Sequence, residues 1–345
     1  MPVAKPPSTP TPAASLRDVA ALAGVSVGTV SNVLNHPAKV SEQTAERVFA
    51  AIRDLGFVRN EAARQLRQGH SRSIGLIVLD IRNPFFTDVA QGVEDEATAR
   101  SRSVLLANCA EDAARESAYL DLFEEQRVDG LLISPVGDVL DRLDRLRSRG
   151  MAVILLDRLA STESYSSVSV DDERGGRLAV EHLLETGRRR ITFVGASTDI
   201  EQVRDRLAGG RRAVEGVGNA SLDYREITGM HVAPALAEGE RIVALPADER
   251  PDAVFAANDL IAMGMLQAFT RGGLRTPDDI ALIGYDDIDY AASAAIPLSS
   301  VRQPSREMGR RAAELLLAEI EAGGSGERQH IVFAPELVAR ASTLG

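Results

Sequence analysis

The chain of 345 residues lacks several features that would place it in other protein classes. Its single cysteine, Cys109, excludes an internal disulfide and a cysteine-based metal cluster, so nothing indicates an oxidising compartment. No apolar run reaches the roughly 18 residues of a membrane-spanning helix. Residues 1–14 are rich in proline and lack the apolar centre of a signal peptide, and we interpret them as a disordered tail. We therefore expect a cytoplasmic protein with no membrane partner.

Catalytic patterns are missing as well. The five histidines are scattered, and the sequence contains no H-E-x-x-H, no G-x-S-x-G and no phosphate-loop motif. Asp286 and Asp287 are adjacent carboxylates, but neighbours on an extended segment point to opposite sides and cannot act as a pair. We expect a protein that is not an enzyme, with no catalytic residue, no metal site and no cofactor.

Charge is distributed unevenly along the chain. The net charge of -11 would, taken alone, argue against a nucleic-acid partner. Residues 1–72, however, hold nine Lys or Arg against five Asp or Glu, whereas the remainder holds 30 against 45. A small basic end attached to a large acidic part is typical of a protein that contacts phosphates at one end only.

A segment near the N-terminus has the pattern of two short helices. Residues 16–34 read LRDVAALAGVSVGTVSNVL, and apolar residues recur in the first part at helical spacing. Gly24 allows the first helix to end tightly, and Ser26 can cap a second helix over residues 27–34. Two helices joined by a three-residue turn with glycine predict a helix-turn-helix, whose second helix enters the DNA major groove.

The following segments decide between this motif and a generic helical hairpin. A third helix is predicted over residues 42–55 after Ser41, and it would support the first two. Residues 60–68 (NEAARQLRQ) then predict a short helix where a flexible linker would be expected. We therefore predict a DNA-binding domain over residues 15–58 and a hinge helix or linker over residues 59–71.

The rest of the chain, residues 72–345, alternates buried strands with helices. Residues 73–79 (SIGLIVL) form a continuous apolar run, which is typical of a buried parallel strand. The alternation continues to about residue 156 and restarts after Asp171. Two successive units of this kind predict two doubly wound α/β lobes with a cleft between them.

Polar and aromatic side chains follow the predicted strands, where ligands of open α/β sheets bind. They are found in residues 80–86, 157–158 and 258–259 and at Asp286. Carboxylates and amides can pair with hydroxyls, and a phenyl ring can stack on the apolar face of a sugar. Each polar residue could merely cap a helix. As a set converging on one cleft, they favour a carbohydrate-type site.

The segments DVAALAGVSVGTVSNVLN, VSEQTAERVFAAIRDLGF and AARQLRQG resemble the lactose/galactose repressor family of bacterial transcription regulators, and the resemblance continues over almost the whole chain. It implies an all-α helix-turn-helix head and a core like periplasmic sugar-binding proteins, in which the chain crosses between lobes three times. We place these crossings near Asp171, Gln303 and Gln329. The first lobe would then comprise residues 72–171 and 303–329, and the second residues 172–302 and 330–345.

The same resemblance implies which residues contact double-stranded DNA. The linker would fold on the operator and insert as a pair into the minor groove, with Leu66 wedged between base pairs and Arg67 along the groove. The alternative is that Leu66 packs against its own core. Base contacts correspond to Val27, Gly28 and Asn32, and phosphate contacts to Ser26, Thr29, Ser31 and Asn35.

Effector contacts are implied in the same way, at Asn83, Phe85, Phe86, Asp157, Arg158, Arg206, Asn258 and Asp286. Their chemistry favours a sugar over a purine. The leading hypothesis is a homodimeric repressor of a palindromic operator, controlled by a sugar bound in the cleft. One alternative is a regulator that answers to a non-sugar ligand such as a nucleobase. Another is a solute-binding protein that does not bind DNA, which would have no use for residues 15–70.

Overall fold

The computed structural model describes residues 14–57, 71–160, 164–323 and 326–344. They form two compact units, which we call the head (residues 14–57) and the body (from residue 71 onward). The predicted linker, with Leu66 and Arg67, lies outside the described residues, as do residues 1–13. Among the residues described, no helix has both the length and the apolar character needed to cross a lipid bilayer.

The head consists of three α-helices and one short 3₁₀ turn, Pro37–Lys39. The helices are α1 (Leu16–Ala23), α2 (Val27–Asn35) and α3 (Glu42–Leu55). Gly24 ends α1 with a φ of 64°, a conformation that glycine adopts without strain. Ser26 begins α2 by accepting a hydrogen bond from the Thr29 amide at 3.0 Å. The apolar faces meet in a small core formed by Val19, Ala20, Ala23, Val30, Val33, Val48 and Ala51.

The first lobe of the body is built on a parallel six-stranded sheet in the order β11-β5-β4-β3-β1-β2. Its strands are β1 (Ser73–Val78), β2 (Ser103–Asn108), β3 (Gly130–Ile133), β4 (Ala152–Leu156), β5 (Ser166–Val170) and β11 (His330–Phe333). Its helices are α4 (Pro84–Ala99), α5 (Ala113–Glu125), α6 (Leu140–Ser148) and α12 (Ser305–Glu321). This connectivity places the carboxyl ends of β1 to β5 along one edge.

The second lobe repeats the plan with the order β12-β10-β9-β8-β6-β7, in which only β12 pairs antiparallel. Its strands are β6 (Arg190–Gly195), β7 (Ser221–Glu226), β8 (Ala253–Ala256), β9 (Ala281–Asp286), β10 (Ser299–Arg302) and β12 (Glu336–Val338). Its helices are α7 (Asp172–Glu185), α8 (Glu201–Val214), α9 (Val232–Ala244), α10 (Asp259–Arg271), α11 (Asp289–Ser293) and α13 (Ala341–Leu344).

The chain passes from one sheet to the other three times. The first crossing lies at Asp171, after β5, and the second at residues 303–304, after β10. The third was predicted near Gln329, and this prediction is wrong. β11 pairs with β5 in parallel, so it belongs to the first lobe and the crossing lies at residues 334–335. The sequence concealed this because β11 is a four-residue edge strand whose residues are exposed or half-buried.

Candidate functional site

The residues predicted to contact DNA lie on and around α2. Ser26, Val27, Gly28, Asn32 and Asn35 are exposed, and Thr29 and Ser31 are half-buried. The buried side of the same helix carries Val30 and Val33, which fill the core of the head. The polar side is therefore accessible to a partner without disturbing that core.

The residues on this surface differ in the chemistry they offer. The amide of Asn32 both donates and accepts, which matches the major-groove edge of adenine. Val27 offers only apolar contact, as to a thymine methyl group. A Cβ added to Gly28 would meet only the Ser26 hydroxyl, at 3.6 Å, so packing within the head does not require glycine there. The Asn35 amide is bound within the helix, donating to the Ser31 carbonyl at 2.8 Å.

The body contains a cavity between its two lobes. It lies at the carboxyl ends of the strands, because Leu79 follows β1, Asp157 follows β4 and Asn258 follows β8. Seven of the eight predicted effector residues line it. The full lining is Leu79, Asn83, Phe85, Phe86, Asp157, Gln202, Arg206, Met230, Asn258, Asp286 and Gln303.

Asp286 lines this cavity from the second lobe and accepts a hydrogen bond from the first lobe. Its two carboxylate oxygens accept hydrogen bonds from the Asn83 and Gln303 amides, each at 2.7 Å. Burial raises the pKa of Asp286 to about 6, although Arg206 and these two amides favour the charged form. Asn83 is fixed in turn, because its oxygen caps α4 by accepting from the Phe85 amide at 3.1 Å. The Asp286 carboxylate, on the second lobe, is therefore bound by Asn83 of the first lobe and by Gln303 at the second crossing.

Arg206 is the cation of the cavity and is almost fully buried. Its Nε donates to Asp172 Oδ1 and its Nη1 to the Ala257 carbonyl, both at 2.7 Å. Its guanidinium carbon lies 3.7 Å from the centroid of the Tyr285 ring. The ion pair, the carbonyl and the ring fix the plane of the guanidinium.

Asp157 also lines the cavity, and one of its carboxylate oxygens makes no hydrogen bond to the described residues. Its Oδ2 accepts from the Gln202 amide at 2.9 Å, whereas Asp157 Oδ1 and Gln303 Oε1 are buried with no hydrogen-bond partner among the described residues. Burial raises the pKa of Asp157 well above its usual value, and the nearby Asp172 adds to this effect. Buried acceptors of this kind are normally paired. The cavity therefore needs a ligand or water that brings donors.

Strained backbone orients the two cavity aspartates. Asp157 has a φ of 56° and Asp286 a φ of 105°, values that residues with a side chain rarely adopt. Such conformations persist where the surrounding structure imposes them, and they concentrate at ligand sites.

The eighth predicted residue, Arg158, does not line the cavity. Its Nη1 donates to the Gly137 carbonyl at 2.7 Å, and its Nε pairs with Glu201 Oε2 at 3.0 Å. Arg158 instead lines a neighbouring groove. Its position beside Asp157 did not reveal this, because adjacent side chains leave the backbone in different directions.

Four lining residues escaped the sequence-based prediction: Leu79, Gln202, Met230 and Gln303. Gln303 directly follows β10, so the strand-end rule would have found it if that four-residue strand had been recognised. Gln202 lies in the first turn of α8, which begins at Glu201 and follows no strand end directly. Met230 lies in a loop after β7, and no local pattern marks it.

A helix-turn-helix head and a two-lobed α/β body with a polar cavity, in one chain, define a DNA-binding regulator with a ligand-binding core. Residues 15–60 match the family described as bacterial regulatory proteins, lacI family, and residues 180–343 match a periplasmic binding protein-like domain. The HTH-type transcriptional repressor PurR of Photobacterium profundum is 33% identical over 331 residues, covering 95% of this chain and 98% of the relative. This chain belongs to the lacI family and is a DNA-binding repressor, which confirms the predicted family.

Solved structures agree with the fold. A transcriptional regulator CelR–cellobiose complex is 31% identical with a TM-score of 0.69, covering 95% of this chain and 99% of that one. The lac repressor dimer bound to operator and the anti-inducer ONPF is 27% identical with a TM-score of 0.82, covering 96% and 100%. A LacI family regulator from Enterococcus faecium with bound ribose is 28% identical with a TM-score of 0.71, covering 79% and 98%. The predicted fold class is therefore confirmed.

Proposed function

We propose that this repressor is a homodimer whose affinity for a palindromic operator is controlled by a small sugar bound in the cavity of the body. The observation that carries the sugar assignment is the pair of buried, unpartnered acceptors, Asp157 Oδ1 and Gln303 Oε1. A sugar hydroxyl donates one hydrogen bond and accepts others, so a ring of hydroxyls can pair with these oxygens and with Arg206 at once.

The apolar wall of the cavity supports the same assignment. Phe85 and Phe86 are almost fully buried, and their ring centroids lie 4.9 Å apart in an edge-to-face arrangement. Such a pair offers an apolar surface to one face of a sugar ring. The relatives crystallised with cellobiose and with ribose also favour a sugar.

A nucleobase is the second candidate, since the curated relatives are named PurR. A flat base could stack on a phenyl ring and pair with the amides. It presents few donors, all in its own plane, whereas the hydroxyls of a sugar point in several directions and can pair with more of the buried acceptors of the cavity.

The exposed edge of the first sheet supports the proposal of a homodimer. Among the described residues, β2 is an edge strand, and it exposes Leu105 and Leu106 to 38% and 47% of their surface. Leu122 of α5 is 40% exposed as well. Apolar side chains on an exposed edge promote association unless they are covered. We propose that a second copy of the chain covers them, which would present two heads to a palindrome.

Within the head, we propose that α2 reads bases through Val27, Gly28 and Asn32 and that its neighbours bind phosphates. The minor-groove roles of Leu66 and Arg67 stay predictions. Because phosphate contacts release counterions, operator affinity should fall steeply as salt is raised. A flat salt dependence would contradict this role of the head.

The test of the effector is a titration of a labelled palindromic operator, selected from a randomised duplex pool, with the full chain. Fluorescence anisotropy is recorded alone and with D-ribose, D-glucose, adenine or guanine, and calorimetry measures the direct binding of each compound. We expect one sugar to bind and to change operator affinity. Binding of a purine base alone would favour the second candidate, and no change with any sugar would reject the sugar effector.

A further inference from the structure

We propose that Glu111 is a positioning residue, which holds the two lobes together around the effector without contacting it. This inference rests on the proposed function. Glu111 follows β2 in the first lobe, and its two carboxylate oxygens accept hydrogen bonds from the Met230 amide of the second lobe at 3.1 and 3.3 Å. Glu111 itself is outside the cavity lining.

The contact reaches the cavity through Met230. The Met230 carbonyl accepts a hydrogen bond from the Asn258 amide at 3.0 Å, and both residues line the cavity. Asn258 is fixed at its other end, because its oxygen accepts from the Ile261 amide at 2.9 Å. A carboxylate of the first lobe thus binds the segment of backbone that positions one wall of the second-lobe site.

The backbone has positive φ values on both sides of this contact. Ala110 and Glu111 have φ values of 51° and 61°, two consecutive left-handed residues that carry side chains. The Asn108 side chain holds this turn by accepting from the Ala110 amide at 3.1 Å. On the other side Gly229 has a φ of 110°, and a Cβ there would lie 3.5 Å from Glu111 Oε2. Left-handed residues that carry side chains cost free energy, and they concentrate at functional sites.

The Glu111 contact, like the Arg158–Glu201 ion pair outside the cavity, differs from the contacts between lobes that the cavity residues make. Asn83–Asp286 and Gln202–Asp157 are made by side chains that line the cavity, so a ligand that binds those groups competes with them. The Glu111–Met230 contact uses no ligand-binding atom of either residue. Because it joins the two lobes, it can stabilise their closed arrangement with the ligand in place.

The test compares the full chain with Glu111→Ala and Glu111→Gln. We expect Glu111→Ala to weaken effector binding about tenfold, as for the loss of one charge-assisted hydrogen bond, through faster dissociation with unchanged association. Glu111→Gln keeps an acceptor oxygen and should recover most of the affinity. Glu125→Ala, which removes an exposed carboxylate at the end of α5, is the matched control and should bind as wild type does.

Hydrogen exchange of the Met230 amide without ligand separates this inference from the proposed function. We expect faster exchange in Glu111→Ala than in the control. Unchanged exchange, or faster exchange with unchanged effector affinity, would overturn the role of Glu111. If no compound binds the wild-type chain, the proposed effector is rejected, and the exchange rate alone decides whether Glu111 joins the lobes.

Discussion

The head and the cavity of the body present their functional groups in opposite ways. On the head, the residues proposed to contact DNA are near neighbours in sequence, and most of them are exposed. In the body, the lining residues come from distant segments, and several, such as Asp286 and Arg206, are buried and bonded to one another. A surface side chain can therefore change recognition without changing the fold, whereas a cavity side chain contributes to both binding and stability.

The largest effect should follow from Arg206→Ala. Because the substitution leaves Asp172 buried without its partner, we expect the body to lose about 3–5 kcal/mol of stability and all measurable effector binding. Urea unfolding and calorimetry measure the two losses. The matched control is Arg212→Ala on the same helix. Arg212 is 60% exposed and pairs with Glu173, and its loss should cost less than about 1 kcal/mol. Equal losses in both variants would contradict the buried role of Arg206.

On the head, Asn32→Ala should weaken operator binding without affecting the body. Loss of a base contact costs about 1–3 kcal/mol, so we expect operator affinity to fall between about fivefold and 150-fold while effector affinity is unchanged. The same variant titrated with non-specific duplex is the control. Since Asn32 is proposed to read a base and not a phosphate, the affinity for the non-specific duplex should be unaltered. Equal losses of affinity for both duplexes would assign Asn32 to phosphate contact.

A smaller effect is expected from Ser26→Ala, which removes the cap of α2. We expect about 1 kcal/mol less protection of the α2 amides in hydrogen exchange, because the Thr29 amide loses its acceptor. Ser41→Ala, before α3, is the matched control, since the Ser41 hydroxyl pairs with Thr44 Oγ1 and not with a backbone amide. A loss of similar size in that control would show that the cap is unimportant.

The smallest effect is a pH dependence confined to the body. With a pKa of about 6, raised by burial, Asp286 is mostly charged at pH 7.5 and mostly protonated at pH 5.5. A hydroxyl donor binds the charged form, so effector affinity should fall about fourfold over this interval. Calorimetry at both pH values checks this. Asp286→Asn should remove the dependence, and a full dependence in that variant would assign it to another group.

The same contrast explains what the sequence could and could not reveal. The head was predictable because its helix pattern and its caps are local. Asn83, Asp157, Asn258 and Asp286 were predictable because each follows an apolar strand or begins a helix. β5 was missed because its sequence, SSVSV, looks polar, yet all five residues are buried. Two of its three hydroxyls are paired, that of Ser166 with Glu319 Oε1 at 2.5 Å and that of Ser167 with His330 Nδ1 at 3.0 Å, whereas the Ser169 hydroxyl is buried with no partner among the described residues.

The remaining lining residues depend on tertiary structure. Gln202 enters the cavity because its amide reaches the Asp157 carbonyl, at 2.5 Å, in the other lobe. Such a pairing has no signature in either segment alone. Closure of the two lobes therefore determines part of the site.

Control of repression by a sugar requires coupling between the cavity and the operator. A calorimetric titration of the effector sugar into the free chain and into the chain saturated with operator tests this coupling most directly, because coupling between two sites is reciprocal. We predict that the two affinities differ by at least about fivefold. Equal affinities would contradict this coupling, since a sugar that binds both forms equally well cannot change operator binding.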